Sequence, residues 1–128
     1  LHVRSRRQRQ MCIRDSPKVG RAALHPTCSS TRMGWNDALK RCAEAVADEV
    51  TVADAWGCCG FAGDRGMLHP ELTESATRRE VAELVAQDFD LYLSANRTCE
   101  LGMERATGKP WRHVLSVLAE RMVEYAPA

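Results

Sequence analysis

Cys58 and Cys59 are neighbours, set between Gly57 and Gly60 in the run Trp56-Gly57-Cys58-Cys59-Gly60-Phe61-Ala62-Gly63-Asp64-Arg65-Gly66. Four of the chain's eight glycines fall within these eleven residues. Consecutive side chains on an extended backbone point to opposite faces. Both sulfurs can therefore serve one centre only where the chain turns sharply between or beside them. Gly57 and Gly60 supply that turn, because a residue without a Cβ reaches φ > 0 and tolerates close approach. Thiolates so placed read as ligands of a metal or iron–sulfur centre. The plainer alternative is a buried turn in which two free cysteines pack as small hydrophobes. A disulfide between the two neighbours would be strained.

The remaining cysteines bear on this choice, and one of them is set aside first. Residues 1–16 hold five arginines against the single Asp15, a net of +4, whereas residues 17–128 are net −3. A basic arm usually suggests nucleic acid or a targeting signal. Here Met11-Cys12-Ile13-Arg14-Asp15-Ser16 looks like the translation of a sequencing-library adapter, and the residues before it like its continuation. Residues 1–16 are accordingly read as an assembly artefact, disordered, with no role for Cys12 and no nucleic-acid partner. Residues 17–128 are read as one domain, a fragment of a longer chain, large enough to bury a core.

Cys28, Cys42, Cys58, Cys59 and Cys99 then remain. An odd number, with no secretory signal, argues against a disulfide scaffold and for a reducing, cytoplasmic compartment with thiolates kept for a metal. No apolar run approaches the ~18 residues that span a bilayer, so no transmembrane segment is expected.

The elements that must position these thiols follow from patterning. Val19 to Leu24 reads as a strand ending at the His25-Pro26 turn, with Cys28 just beyond it. From Asn36 a helix follows, capped by Asn36 or Asp37, with Trp35, Leu39, Cys42, Ala43 and Val46 as its apolar stripe. Cys42 on that stripe reads as core. Val50 to Ala53 is a second strand that leads into the Cys58-Cys59 loop. A helix runs from Pro70 or Thr73 to Gln87. Thr77, Val81, Leu84 and Val85 form its apolar face, and Glu71, Glu74, Arg78, Arg79, Glu80 and Glu83 its wet one. Phe89 to Leu93 is a third strand. Thr98 caps a helix carrying Cys99 and Met103 that stops near Gly108. A last helix after Pro110 shows Leu115, Leu118, Met122 and Tyr125.

Strands alternating with helices predict an α/β fold, a small mainly parallel sheet with helices on both faces and right-handed crossovers. In such sheets every strand's carboxyl end lies on one edge, where ligands bind. Cys28, the Cys58/Cys59 pair and Cys99, separated by 29 and 39 residues, each come just after a strand. The topology thus predicts four thiols converging on one edge. Four thiolates suit a [4Fe–4S] cluster or tetrahedral zinc, and argue against magnesium, calcium or manganese.

The spacing Cys28-x29-Cys58-Cys59-Gly60-x38-Cys99 resembles the cysteine-rich domain named for its Cys-Cys-Gly motif, which occurs in heterodisulfide reductase subunits and in iron–sulfur parts of glycolate, glycerol-3-phosphate and lactate oxidising systems. His25-Pro26-Thr27-Cys28-Ser29-Ser30-Thr31, the run Cys58 to Gly66, and Asn96-Arg97-Thr98-Cys99-Glu100-Leu101-Gly102 look like the C-terminal end of FAD-linked D-lactate dehydrogenases. The wider family often closes with Cys-x-x-Cys, whose first position here is Asn96, which argues against a five-thiolate, non-cubane cluster. The resemblance implies an electron-transfer role with FAD in a separate N-terminal flavin-binding domain of the same full-length protein. It also implies a one-electron acceptor of the cytochrome or quinone kind, and a cytoplasmic location or a peripheral one at the inner membrane. A non-catalytic four-cysteine zinc module for assembly and a heterodisulfide-reductase-like subunit are the alternatives.

A cluster held by four thiolates is anionic and calls for positive surroundings. Arg32, Arg65 and Arg97 lie close in sequence to Cys28, Cys59 and Cys99 and are read as cofactor-binding, with backbone N–H groups of the helices beside Cys28 and Cys99 as further donors. An ordinary surface pair is the alternative for Arg65. His25, His69 and His113 each have a metal or acid/base reading, and His25 is the most suggestive because it precedes Cys28 in the strand-end turn. There is no Gly-x-Gly-x-x-Gly and no Gly-Lys-Ser/Thr, so no nucleotide-binding loop of those kinds, and no spacing that supports a hydrolase.

Overall fold

The computed structural model describes residues 17–124. The readings made for residues 1–16, Cys12 included, and for Tyr125 lie outside them. The elements run β1 Val19–His25, α1 Cys28–Arg32, α2 Asn36–Glu44, β2 Ala47–Thr51, α3 Arg65–Leu68, α4 Pro70–Val85, β3 Leu91–Ser94, α5 Arg97–Thr107, β4 Arg112–His113 and α6 Val114–Glu124. The sheet has the order β2-β1-β3-β4, and every pairing among the described residues is parallel. This is the expected α/β architecture. No helix among the described residues is long and apolar enough to cross a membrane.

The two-residue period of the strands divides the core between the faces. Ala22, Leu24 and Leu93 pack with Ala43 and Val46 from the α2 side and with Val114 and Val117 of α6. Ala23 and Tyr92 point the other way, against Leu84 of α4, Met103 of α5 and Trp111. Helices therefore cover both faces, and His25, two residues after Ala23, falls on the α4–α5 side.

Several boundaries differ from the sequence reading, each for a local reason. β2 starts at Ala47, paired with Val19, and not at Val50. Asp48 and Glu49 are exposed there, since β2 is an edge strand and charge on an edge is tolerated. Phe89 stays outside β3 because Asp90 turns back onto β1: its backbone N donates to Arg21 O at 2.9 Å and its carboxylate accepts from Arg21 N at 2.9 Å. The N-cap of α2 is Trp35, with no side-chain bond. Asn36 instead ties α2 to α1, its Oδ1 accepting from Ser30 Oγ at 2.7 Å and its Nδ2 donating to Thr31 Oγ1 at 3.0 Å. Asn96, not Thr98, caps α5, accepting from Thr98 N at 3.1 Å. Gly108 ends that helix at φ 69° as expected. On α4 the buried line is Thr73, Thr77, Glu80 and Leu84, while Val85 is exposed. That line includes Glu80, which the charge pattern alone assigns to the wet face.

Candidate metal centre

Each cysteine of the expected set follows a strand end. Cys28 opens α1, Cys58 and Cys59 lie between β2 and α3, and Cys99 is the third residue of α5. The turn before Cys28 is held by a capping box: Thr27 Oγ1 accepts from Ser30 N at 3.0 Å, and Ser30 Oγ accepts from Thr27 N at 3.1 Å. Cys59 and Cys99 are buried, with their sulfurs 3.3 Å apart. Cys28 and Cys58 are exposed, yet near enough that charge on either acts on Cys99. Cys42 packs beside the α2–α6 core, as its place on the apolar stripe implied.

The loop owes its shape to residues after the cysteine pair. Gly60 (φ 70°), Ala62 (φ 45°) and Gly63 (φ 69°) take left-handed conformations, and Gly57 does not. Of the two glycines expected to supply the turn, only Gly60 thus uses the left-handed region. A Cβ on Gly60 would stand 2.8 Å from both Ala76 Cβ and Leu72 O of α4, so the loop lies directly on that helix. The fully buried Phe61 then packs with Cys59 and Cys99 and closes the sulfurs from beneath. Met67 is exposed and Trp56 packs against the α4–α5 core.

His25 completes the buried group. One ring nitrogen of His25 and the sulfurs of Cys59 and Cys99 all lie within 4.8 Å of one another. Nδ1 is 2.7 Å from Glu80 Oε1, both side chains being almost wholly buried. Nε2 is buried with no hydrogen-bond partner. The Trp111 ring meets the imidazole edge-on at 6.4 Å, keeping water off that side. Burial alone would push the His25 pKa down, but Cys59 and Glu80 outweigh it and raise it to about 9. The hydrogen bond with the Cys99 sulfur pulls the Cys59 pKa down, against burial and with help from His25. The same bond, with burial, pushes Cys99 up. In the metal-free group these directions favour a thiolate at Cys59, a thiol at Cys99 and an imidazolium at His25.

Glu80 is the site residue the sequence reading missed. The signal was present, since Glu80 lies three residues after Thr77 and four before Leu84, on the inward stripe of α4. The arginines stand differently from the cysteines. Arg32 and Arg65 are exposed, and Arg97 pairs with Glu100 at 3.0 Å. The cation laid across the cysteine loop is Arg105, donating to Gly66 O at 3.0 Å and standing 5.7 Å over the Phe61 ring. His69 is exposed beside Glu71, and His113 Nδ1 accepts from Leu115 N at 3.2 Å.

A family model described as the cysteine-rich domain matches residues 22–104, from within β1 into α5, a span that includes all four cysteines. The chain belongs to the cysteine-rich domain family. Neither the curated proteins nor the solved structures gave a match. Cysteine-rich domains of this family occur in oxidoreductase-type proteins. The residues present in this one fit a metal or cluster: an imidazole nitrogen and two sulfurs, all buried, lie within 4.8 Å of one another, two further thiols are exposed, and sulfur donors suit zinc or iron–sulfur.

Proposed function

We propose that this cysteine-rich domain holds a [4Fe–4S] cluster through Cys28, Cys58, Cys59 and Cys99 and serves in electron transfer. The observation that carries the reading is the placing of four cysteines just after three separate strand ends of one parallel sheet. When bound, such a cluster supplies one-electron redox chemistry whose potential follows charge, hydrogen bonding and exposure. The chain's part is to hold and shelter the ligands. The Thr27–Ser30 box fixes the turn at Cys28, the Gly60 turn seats Cys59 against α4, and Phe61 and Trp111 keep water from the inner side. Cys28 and Cys58 at the exposed rim would hold the side of the cluster open to redox partners, with Arg32, Arg65 and Arg97 proposed as its positive surround.

The finer reading extends the resemblance. The domain is the C-terminal electron-transfer part of an FAD-linked D-lactate dehydrogenase or a related 2-hydroxyacid oxidising enzyme. Substrate oxidation removes two electrons, which is flavin work, so the flavin-binding domain of the full-length protein is the electron donor. A cytochrome or quinone system is the acceptor, and the location is cytoplasmic or peripheral at the inner membrane. Zinc is the second reading, favoured by the mixed nitrogen–sulfur group of His25, Cys59 and Cys99, since zinc commonly takes such ligands.

Anaerobic reconstitution with iron and sulfide tests this. The expected product is brown, contains iron and acid-labile sulfide in equal amounts, and bleaches on reduction. Cys59→Ser and Cys99→Ser are expected to abolish loading, and Cys42→Ser to leave it intact. A colourless protein holding one zinc and no sulfide would replace the electron-transfer reading with the zinc one.

A further inference from the structure

We propose that a cavity beside Cys28 binds the ring of an uncharged quinone, which takes electrons from the centre there. The inference deepens the electron-transfer reading above and rests on it. The cavity, of about 260 Å3, lies where α1, α2 and the start of α6 meet. Met33, Trp35, Leu39 and Leu115 form its apolar wall, and all of these but Leu39 are more than half exposed. Singly such residues are ordinary; gathered round one cavity they mark a binding surface. The wall is tied to the turn that carries Cys28. Trp35 N donates to Ser30 O at 2.8 Å, and Ser30 Oγ donates to Asn36 Oδ1 at 2.7 Å. Thr27 and Ser29, on either side of Cys28, line the cavity as well, so a ligand there sits against the exposed side of the centre.

The lining selects the ligand. None of the described residues around this cavity is Asp, Glu, Lys or Arg, whereas the cavities at Arg97 and Glu100 and at Arg65 and Glu71 are lined by charge. A charged ligand would lose water there without gaining a counter-charge, which excludes hydroxyacids and nucleotides. The polar groups present are donors. His113, on the wall, accepts from Leu115 N at Nδ1, so the hydrogen of its neutral ring is on Nε2. The hydroxyls of Thr27 and Ser29 share one hydrogen bond, 3.2 Å, which leaves the other hydroxyl hydrogen to a ligand. Apolar walls with a few placed donors suit a flat ring whose faces are apolar and whose edge carries carbonyl oxygens. A quinone is such a ring, and it is neutral in both its oxidised and its reduced form. One bound quinone takes up two electrons, from two successive reductions of the centre by the flavin domain, and two protons from water, and leaves as the quinol.

The probe is tetramethyl-1,4-benzoquinone, whose fully substituted ring offers thiols no open position to add to. Equilibrium dialysis against oxidised, reconstituted protein is expected to show one ring bound per chain. Trp35→Ser and Leu115→Ser, at exposed positions the fold tolerates, are each expected to weaken binding about tenfold, as loss of an apolar contact does. Val85→Ser, equally exposed but on α4, is expected to change nothing. Protein reduced with dithionite and freed of it is then mixed with the quinone. The oxidation rate is expected to saturate with quinone concentration and, below saturation, to fall about tenfold in the two variants. Oxidation by ferricyanide, which needs only the exposed rim, is expected to stay as in wild type. No binding, or binding that Trp35→Ser and Leu115→Ser leave unchanged, overturns the proposal while iron and sulfide content still uphold the cluster reading. Oxidation by the quinone that never saturates, or that the variants leave unchanged, overturns it too. Should the protein load no iron, the cluster reading and the electron transfer fall. Dialysis of the metal-free protein against the redox-inert dimethyl ether of the same ring then decides the binding site by the same variants.

Discussion

Adding one methyl group at Gly60 probes the seat of the centre with a magnitude that can be worked out beforehand. At φ 70° an alanine carries a backbone penalty, about 1–2 kcal/mol for the left-handed conformation. Its Cβ would also stand 2.8 Å from Leu72 O and Ala76 Cβ. Neither is the far end of a flexible side chain, so helix α4 or the loop must move, and overpacking of this kind costs about 1–3 kcal/mol. The lower entropy of the unfolded alanine chain returns about 0.4–1 kcal/mol. Gly60→Ala is therefore expected to destabilise by about 2–4 kcal/mol.

Two neighbouring glycines separate the contributions. Gly63 has φ 69° with nothing within 4 Å of an added Cβ, and Gly57 has neither a positive φ nor a close neighbour. Gly63→Ala should thus cost about 1 kcal/mol, the conformational part alone. Gly57→Ala should be neutral or slightly stabilising, within about 1 kcal/mol. Urea unfolding of the metal-free proteins at one pH gives all three values, and iron content after reconstitution shows whether the cysteines have moved. Only Gly60→Ala should lose iron, because the methyl group displaces the backbone next to Cys59. If Gly60→Ala were no worse than Gly63→Ala, the contact between the loop and α4 would not be what seats the sulfurs.

Two further outcomes concern the metal-free protein. The His25 contribution to stability is full below about pH 6.5 and is lost as pH rises through about 9, because its folded pKa is raised. The Cys59 contribution runs oppositely, present above the ordinary thiol range and lost as pH falls, because its folded pKa is lowered. The two slopes offset one another between about pH 6.5 and 9, so Tm from this group should be flat there. Above that range the raised Cys99 pKa makes it fall. A Tm that climbs steadily from pH 7 to 9 would contradict the imidazolium–thiolate arrangement. In oxidised dithiothreitol the first bridge should join Cys59 and Cys99, whose sulfurs need close only from 3.3 Å to about 2.05 Å. Mass spectrometry of the peptides checks this, and a first bridge between Cys28 and Cys58 would go against it.

What could be read in the sequence followed from topology more than from propensity. Cys28, Cys58, Cys59 and Cys99 could be gathered before any coordinates because a parallel sheet sends all its strand ends to one edge. That inference rests on the order of the elements and not on the bounds of β2, read at Val50–Ala53 and found at Ala47–Thr51. β2 itself was hard to place because Asp48 and Glu49 interrupt the pattern on an exposed edge. β4 was missed because two residues, Arg112 and His113, carry no period. Glu80 was assigned by its charge and not by its position. Helical spacing alone puts it with Thr77 and Leu84, and only the partner on β1, 55 residues earlier, shows why a carboxylate belongs there. Gly57 and Gly60 looked alike in sequence, and what separates them is the proximity of α4, a tertiary fact.

The inner and outer halves of the site answer different physical demands. Cys59, Cys99, His25, Glu80 and Phe61 are buried together, in surroundings where an unpaired polar group is costly. Each polar member there leans on another: Cys99 on Cys59, and His25 on Glu80. Removing one leaves its neighbour unsatisfied, so the inner half acts as a unit and its substitutions should not be additive. Cys28 and Cys58 at the rim are exposed and can be hydrated without a partner, so their loss should weigh on metal loading far more than on the metal-free fold. A centre built this way keeps a preformed, water-poor floor under a rim that reaches solvent. Such an arrangement would suit the proposed electron-transfer role, in which partners would approach the exposed side while the buried side stays fixed.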